Sequence, residues 1–235
     1  MKYVPSIAFD EMSGSAKGVT AAKTMGRKYI RNRGYGGSAR TSAQASVKSI
    51  FKQLSQAWKN LTNAQILAWN ALALTQAGKS VLGTSAKISG ANLFTRLNYW
   101  VVACGGNVMQ NPPTLQGVEA PTEAVITLTP SKFTFELEGE PENPENPENL
   151  KLIVMASAPQ SNGVTRAYSK AVRVGAPLEA ASEVYDLKKD YDEKNGVPTS
   201  AAPKVFMKYF FVNTVTGEKS GEMLVSVKLQ EEAGE

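Results

Sequence analysis

The residues best suited to chemistry lie between Lys23 and Arg40. Lys23, Arg27, Lys28, Arg31, Arg33 and Arg40 are interleaved with Tyr29 and Tyr35, and Gly34, Gly36 and Gly37 interrupt them. Lysine and arginine neutralise phosphate or carboxylate, tyrosine stacks or supplies apolar area, and glycine lets a backbone pass close to a partner. The same composition therefore suits two partners: a nucleic-acid backbone, or the carboxylates of a neighbouring protein subunit.

Side chains that could carry catalysis are sparse. The 235 residues contain no histidine, which removes the commonest general base, the Ser-His and Cys-His nucleophile pairs and the usual zinc and copper sites. The single cysteine, Cys104, has no partner for a disulfide and falls on an apolar helix face, where it reads as a small core residue. Asp190 with Asp192, and Asp186 with Glu183, are carboxylate pairs in a charged segment without a phosphate-binding loop nearby, so they read as a solvated face. "GYGGS" lacks the lysine and the strand-to-helix setting of a phosphate loop. Pro141 to Asn149 repeats Pro-Glu-Asn three times and reads as an extended acidic loop between strands, with Glu142, Glu145 and Glu148 a weak set for calcium. The expectation is a chain with no catalytic residues, no metal and no cofactor, and not an enzyme.

The elements that must position the basic stretch fall into three pieces. Residues 1–40 have no helical apolar period and read as an extended basic arm, with a hairpin turning near Met25-Gly26. Residues 41–106 read as a small three-helix bundle. Val47, Ile50, Phe51, Leu54, Ala57, Trp58 and Leu61 recur at helical steps, with Lys48, Lys52 and Lys59 off that face. Thr62 with Gln65 forms a capping box that opens a second helix over about 63–77, and Ser89 caps a third whose stripe includes Leu93, Phe94, Leu97, Trp100 and Cys104. Phe51, Trp58, Trp69, Phe94 and Trp100 are the expected core and interface residues. Among the three tryptophans, Trp69 sits on the less regular face and is the one expected to be able to reach a partner.

Residues 107–122, with three prolines, read as a linker. From 123 to 235 short β-branched and aromatic runs ("AVITLTP", "KFTFELEG", "LKLIVMAS", "AYSKAVRVG", "VFMKYFFVN", "GEMLVSVKLQ") suggest an antiparallel β-sandwich of immunoglobulin or fibronectin III type, with "EVYDLKKDYDEKNG" a loop containing a helical turn. The fold class expected is α+β. No apolar run reaches the roughly 18 to 20 residues that cross a bilayer, so no membrane partner is expected. Pro5, Asp10 and Glu11 interrupt the place where a secretory signal would need an unbroken apolar core.

Charge is divided along the chain. Residues 1–60 hold eleven Lys/Arg against two acidic residues, whereas residues 121–235 hold twelve against eighteen. The formal net charge of +5 hides a dipolar molecule suited to attachment at one end and to head-to-tail attraction between copies.

One stretch also carries a resemblance. Arg31, Arg33, Gly34, Gln44, Phe51, Leu54-Ser55, Ala57-Trp58, Leu61-Thr62, Ala64-Gln65 and Ala68-Trp69-Asn70 are followed by Ser89-Gly90, Leu93-Phe94, Arg96 and Leu97-Asn98. Over about residues 25–115 this pattern resembles an uncharacterised family of proteins encoded in the structural modules of tailed phages and prophages, including crAss-like phages of Bacteroidetes. The resemblance implies a virion protein assembled in the host cytoplasm, with copies of itself and other virion proteins as partners and nucleic-acid contact by the arm as the alternative. It carries no catalytic residues. The strand-rich remainder is similar to immunoglobulin-like modules appended to phage capsid and tail proteins.

Overall fold

Thr41 opens the helical part of the chain. Its extended backbone turns into α1 (Ser42–Lys59), and its hydroxyl accepts from the Gln44 N–H, one of the donors a helix start leaves unpaired. The structure, a computed structural model, describes residues 12–24, 27–32, 41–76, 87–139, 149–180 and 184–230. Thr62 repeats the device at α2 (Asn63–Thr75). The Gln65 side chain returns to the Thr62 N–H at 2.9 Å, which completes the capping box expected from the sequence. Ser89 accepts from the Asn92 N–H at the start of α3 (Gly90–Ala103). The backbone of Gly90 lies so close to α2 that a Cβ would sit 2.3 Å from Asn70 Oδ1, the atom that accepts the Gly90 N–H.

Before the helices, β1 (Gly14–Ala16), β2 (Val19–Thr24) and β3 (Arg27–Asn32) form an antiparallel sheet in that order. β2 and β3 are the expected hairpin, with Thr24 opposite Arg27. β1 was not expected, because Gly-Ser-Ala has no β-branched or aromatic residue; only backbone pairing identifies it. Lys17 and Gly18 join it to β2 with φ of 40° and 84°, the left-handed pair that matches strand twist in a two-residue turn.

The rest of the chain is strand-rich. β4 (Ala124–Leu128), β5 (Phe133–Leu137) and β9 (Tyr185–Asp186) make one antiparallel sheet. A second has the order β11 (Met223–Lys228), β10 (Lys204–Asn213), β6 (Leu150–Ala156), β7 (Val172–Arg173), with β8 (Leu178–Glu179) also paired to β6. Among the described residues the fold is thus mixed α+β, with four helices and several antiparallel sheets, none of them closed.

Two expectations are corrected. "AYSKAVRVG" is mostly not strand: Tyr168–Lys170 is a 3-10 turn, and only Val172–Arg173 pairs. The turn sets the Tyr168 ring edge-on to Phe206, with centroids 5.2 Å apart. "EVYDLKKDYDEKNG" is more than a loop. After β9 it forms α4 (Lys188–Asn195), held by the fully buried Tyr191, whose hydroxyl donates to the Ser157 carbonyl.

β10 is buried on both faces. Val205, Met207, Tyr209 and Phe211 enter a core that also contains Leu128, Phe133, Phe135 and Leu137 of the other sheet. Phe210 and Val212 point the opposite way, into a cluster with Ile153, Met155, Trp100 and Cys104. Trp100 meets Phe210 edge to face at 5.3 Å. The chain divides into two compact units, Met1–Leu93 and Phe94–Glu235, and the division falls inside α3. The contacts of Trp100 and Cys104 explain why the last turns of α3 belong with the sheets.

Residues 107–122 contain no helix or strand, yet they are fastened. The buried Asn98 accepts from the Met109 N–H at 2.6 Å and donates to the carbonyls of Phe94 and Met109. Glu218 accepts from the N–H groups of Gln116 and Gly117, and the Tyr209 hydroxyl donates to the Thr122 carbonyl. Gly217, at φ 70°, brings the turn after β10 against α3, where a Cβ would lie 2.2 Å from the Leu97 carbonyl oxygen. Gly217→Ala should therefore lower stability by at least about 2 kcal/mol, from left-handed strain plus backbone collision. Asn98→Ala should cost about 1–3 kcal/mol by stranding the Met109 N–H. Urea unfolding of each variant checks both.

Candidate functional site

The pleat of the hairpin sheet sorts the expected arm residues. Residues directly opposite in an antiparallel pair share a face. Lys23 lies opposite Lys28, so the two ammonium groups stand on one face together with Val19, Ala21 and Ile30. Tyr29, opposite Ala22, and Arg31, opposite Thr20, occupy the other face. Among the described residues, the cations of the stretch thus fall on two faces, Lys23 and Lys28 on one and Arg31 on the other. The Arg27 backbone is in β3, but its side chain lies outside the described residues, as do Arg33, Tyr35, Arg40 and the "GYGGS" segment.

The helices place the other expected residues unequally. Leu54, Trp69 and Phe94 are fully buried, and Trp58 and Trp100 are half-buried. Trp69 is therefore a core residue and does not reach outward. Phe51 is 47% exposed and Val47 38%, so the apolar stripe of α1 is covered only in its second half, while Ser42 to Ser49 are exposed all round. Lys48, Lys52 and Lys59 run exposed beside this stripe. On α2, Leu67 and Leu74, seven residues apart and so on one side, are 69% and 66% exposed.

The charge asymmetry along the chain has a sharp boundary. From Met12 to Val118 there is no aspartate or glutamate at all. Asp10 and Glu11 lie just before this stretch and Glu119 just after it. In the second unit, by contrast, lysines meet carboxylates: Lys151 with Glu179, Lys188 with Asp192 at 2.9 Å, and both Lys208 and Lys219 with Glu222.

The groups considered for catalysis are engaged in structure. Asp186 accepts from the Lys188 N–H at the start of α4, and Asp192 pairs with Lys188 one turn on. Asp190 packs so close to Gly175 that a Cβ there would lie 2.3 Å from its carboxylate. Glu183, Glu142, Glu145 and Glu148 lie outside the described residues. Cys104 is half-buried, and burial pushes its thiol up, away from the reactive thiolate. Among the described residues no group of three His, Cys, Asp or Glu is placed to hold a metal ion, and no helix is long and apolar enough to cross a membrane.

No protein-family model and no curated protein matches the chain. The surface features of the helical unit therefore carry the functional reading alone.

Glu222 shows what a satisfied carboxylate looks like in this chain. A hydrogen bond from Lys219, reinforced by its charge and by Lys208, holds the Glu222 carboxyl below its ordinary value of 4.5. A carboxyl depressed by folding contributes stability above its ordinary value and loses it as pH falls through the folded-state value. Glu222→Gln should accordingly lower stability at neutral pH and flatten its acid loss below 4.5, read by thermal unfolding against pH.

Proposed function

We propose that the chain is a non-enzymatic structural protein of a tailed-phage virion, in which copies associate through the basic arm and the exposed helix faces. In this reading residues 41–106 act as a small helical bundle. The strands of 123–235 form an immunoglobulin-like sandwich that faces outward, and the product is a virion assembled in the host cytoplasm. The observation that carries the proposal is the surface of the helical unit, where Val47, Phe51, Leu67 and Leu74 stand exposed in a sequence stretch with many cations and no carboxylate. Large apolar side chains exposed on helices that carry like charges favour a partner that covers the first and neutralises the second. Many copies make weak single contacts sufficient through effective concentration.

A second reading, contact with the packaged genome, is favoured by one observation: Lys23 and Lys28 are held side by side across the hairpin. A pair of like charges is favoured when a polyanion sits between them.

Sedimentation of the full chain separates the two. Phe51→Glu and Leu67→Glu change exposed positions and should leave thermal stability within about 0.5 kcal/mol of wild type. Under the assembly reading they shift the sedimenting species toward monomer. A wild-type chain that is monomeric at low salt and moves only onto duplex DNA, with binding falling steeply as salt rises, would replace assembly by genome contact.

A further inference from the structure

Strand β11 is the outer strand of its sheet, and its hydrogen bonds show which backbone groups it leaves over. In an antiparallel pair, residues that exchange hydrogen bonds alternate with residues that do not. The Leu229 N–H donates to the Pro203 carbonyl at 2.8 Å, one step beyond the pairing of Lys228 with Lys204. Val227, Val225 and Met223 therefore bond to β10, and the N–H and C=O groups of Leu224, Ser226 and Lys228 point away from it. β10 keeps the same alternation on its other side, where Lys204 and Phe206 bond to Gln160 and Ser157. Among the described residues, the outer edge of β11 is met by a hydrogen-bond partner only past its end, where the Gln230 N–H donates to the Leu128 carbonyl at 2.8 Å.

Neither a proline nor a bulge guards this edge, since the register runs unbroken from Met223 to Lys228. Leu224 is 54% exposed, and Ser226 and Lys228 are exposed beside it. The free edge thus has Ser226 at its centre, and turned about a two-fold axis there the strand fits itself. Ser226 meets Ser226 of the second copy, a small side chain where two identical residues coincide. Leu224 meets Lys228 of the second copy, so the two lysines do not face each other. On the core face, Val225 stands opposite Val227 of the second copy, a β-branched pair that continues the core. Glu222 lies on the face of Leu224, because it reaches Lys208, which is opposite Leu224. It is therefore diagonal to Lys228 of the second copy, within reach of a long side chain. Lys228, the one charged side chain on the free edge, takes no part in the ion pairs of its own unit among the described residues.

We infer that β11 pairs antiparallel with β11 of a second copy about a two-fold axis at Ser226, which joins the sheet β11-β10-β6-β7 of one copy to the same sheet of the other. The contact uses one patch twice, so it closes as a dimer. It goes beyond the assembly reading, which uses the arm and the helix faces, and does not depend on it. A second copy is favoured over an unrelated extended peptide because the strand itself supplies both the counter-charge for Lys228 and the apolar partner for Val225.

Amide hydrogen exchange of the full-length chain, read at low and high protein concentration beside sedimentation, tests the pairing. The amides of Leu224, Ser226 and Lys228 should exchange at least about tenfold more slowly at the concentration where the dimer forms. Ser226→Pro removes an N–H that the folded chain does not use, and proline is tolerated at such edge positions. Its thermal unfolding should match wild type while dimerisation weakens at least about thirtyfold, because both copies lose the bond at the axis and strand a carbonyl. Lys228→Glu is a second variant, at an exposed position opposite Lys204 in β10, and should weaken dimerisation at least about threefold by setting a carboxylate near Glu222 of the second copy. Exchange that stays fast at every concentration, or protection that does not change with concentration, overturns the pairing, as does a dimer that survives both variants. Phe51→Glu and Leu67→Glu leave this edge untouched, so protection of the three amides in those variants reports the pairing separately from assembly through the helices.

Discussion

Strand β10 carries the constraint on which the second unit depends. A strand in a half-solvated sheet presents one apolar face; Lys204–Asn213 presents two. Tyr209 and Phe211 must be covered by the β4-β5-β9 sheet, and Phe210 and Val212 by something on the other side. The last turns of α3 meet that second demand through Trp100 and Cys104. Once α3 is held there, Gly217 has to pass against its backbone and Asn98 has to clasp Met109, so a proline-rich segment without regular structure becomes a fixed part of the unit. The clasp works because a buried amide side chain can replace a strand partner for one residue.

The helical unit is built on a different balance. Its caps are sound: Thr41, Thr62 with Gln65, and Ser89 with Asn70 against Gly90 satisfy the backbone donors at helix starts. Its burial is thin, with the first half of α1 exposed all round and Leu67 and Leu74 open on α2. Helices of this length are marginal in water without a packed face. Among the described residues, good local signals thus go with incomplete coverage, and it is this surface that the proposed assembly would use.

The motif residues behind the phage resemblance have physical roles of this kind. Thr62 and Gln65 cap, Trp69, Leu93 and Phe94 fill the core, Asn70 and Gly90 set the approach of α2 to α3, and Asn98 holds the segment beyond. Such residues specify how the helices begin and how closely they pack.

The sequence by itself determined the helices, their caps, the hairpin and the main strands, because those follow from apolar period and from side-chain to backbone hydrogen bonds within four residues. It also determined the charge asymmetry and the absence of histidine chemistry. Four things were decided only by tertiary structure: the short strands β1, β7, β8 and β9, which have no side-chain signature and exist through their neighbours' backbone groups; the burial of Trp69 and the exposure of Phe51, which share a helical period with residues of the opposite fate; the capture of 107–122; and the placing of Lys23 opposite Lys28 across the hairpin. Periodicity says which residues share a face. Only the packed chain says what, if anything, that face meets.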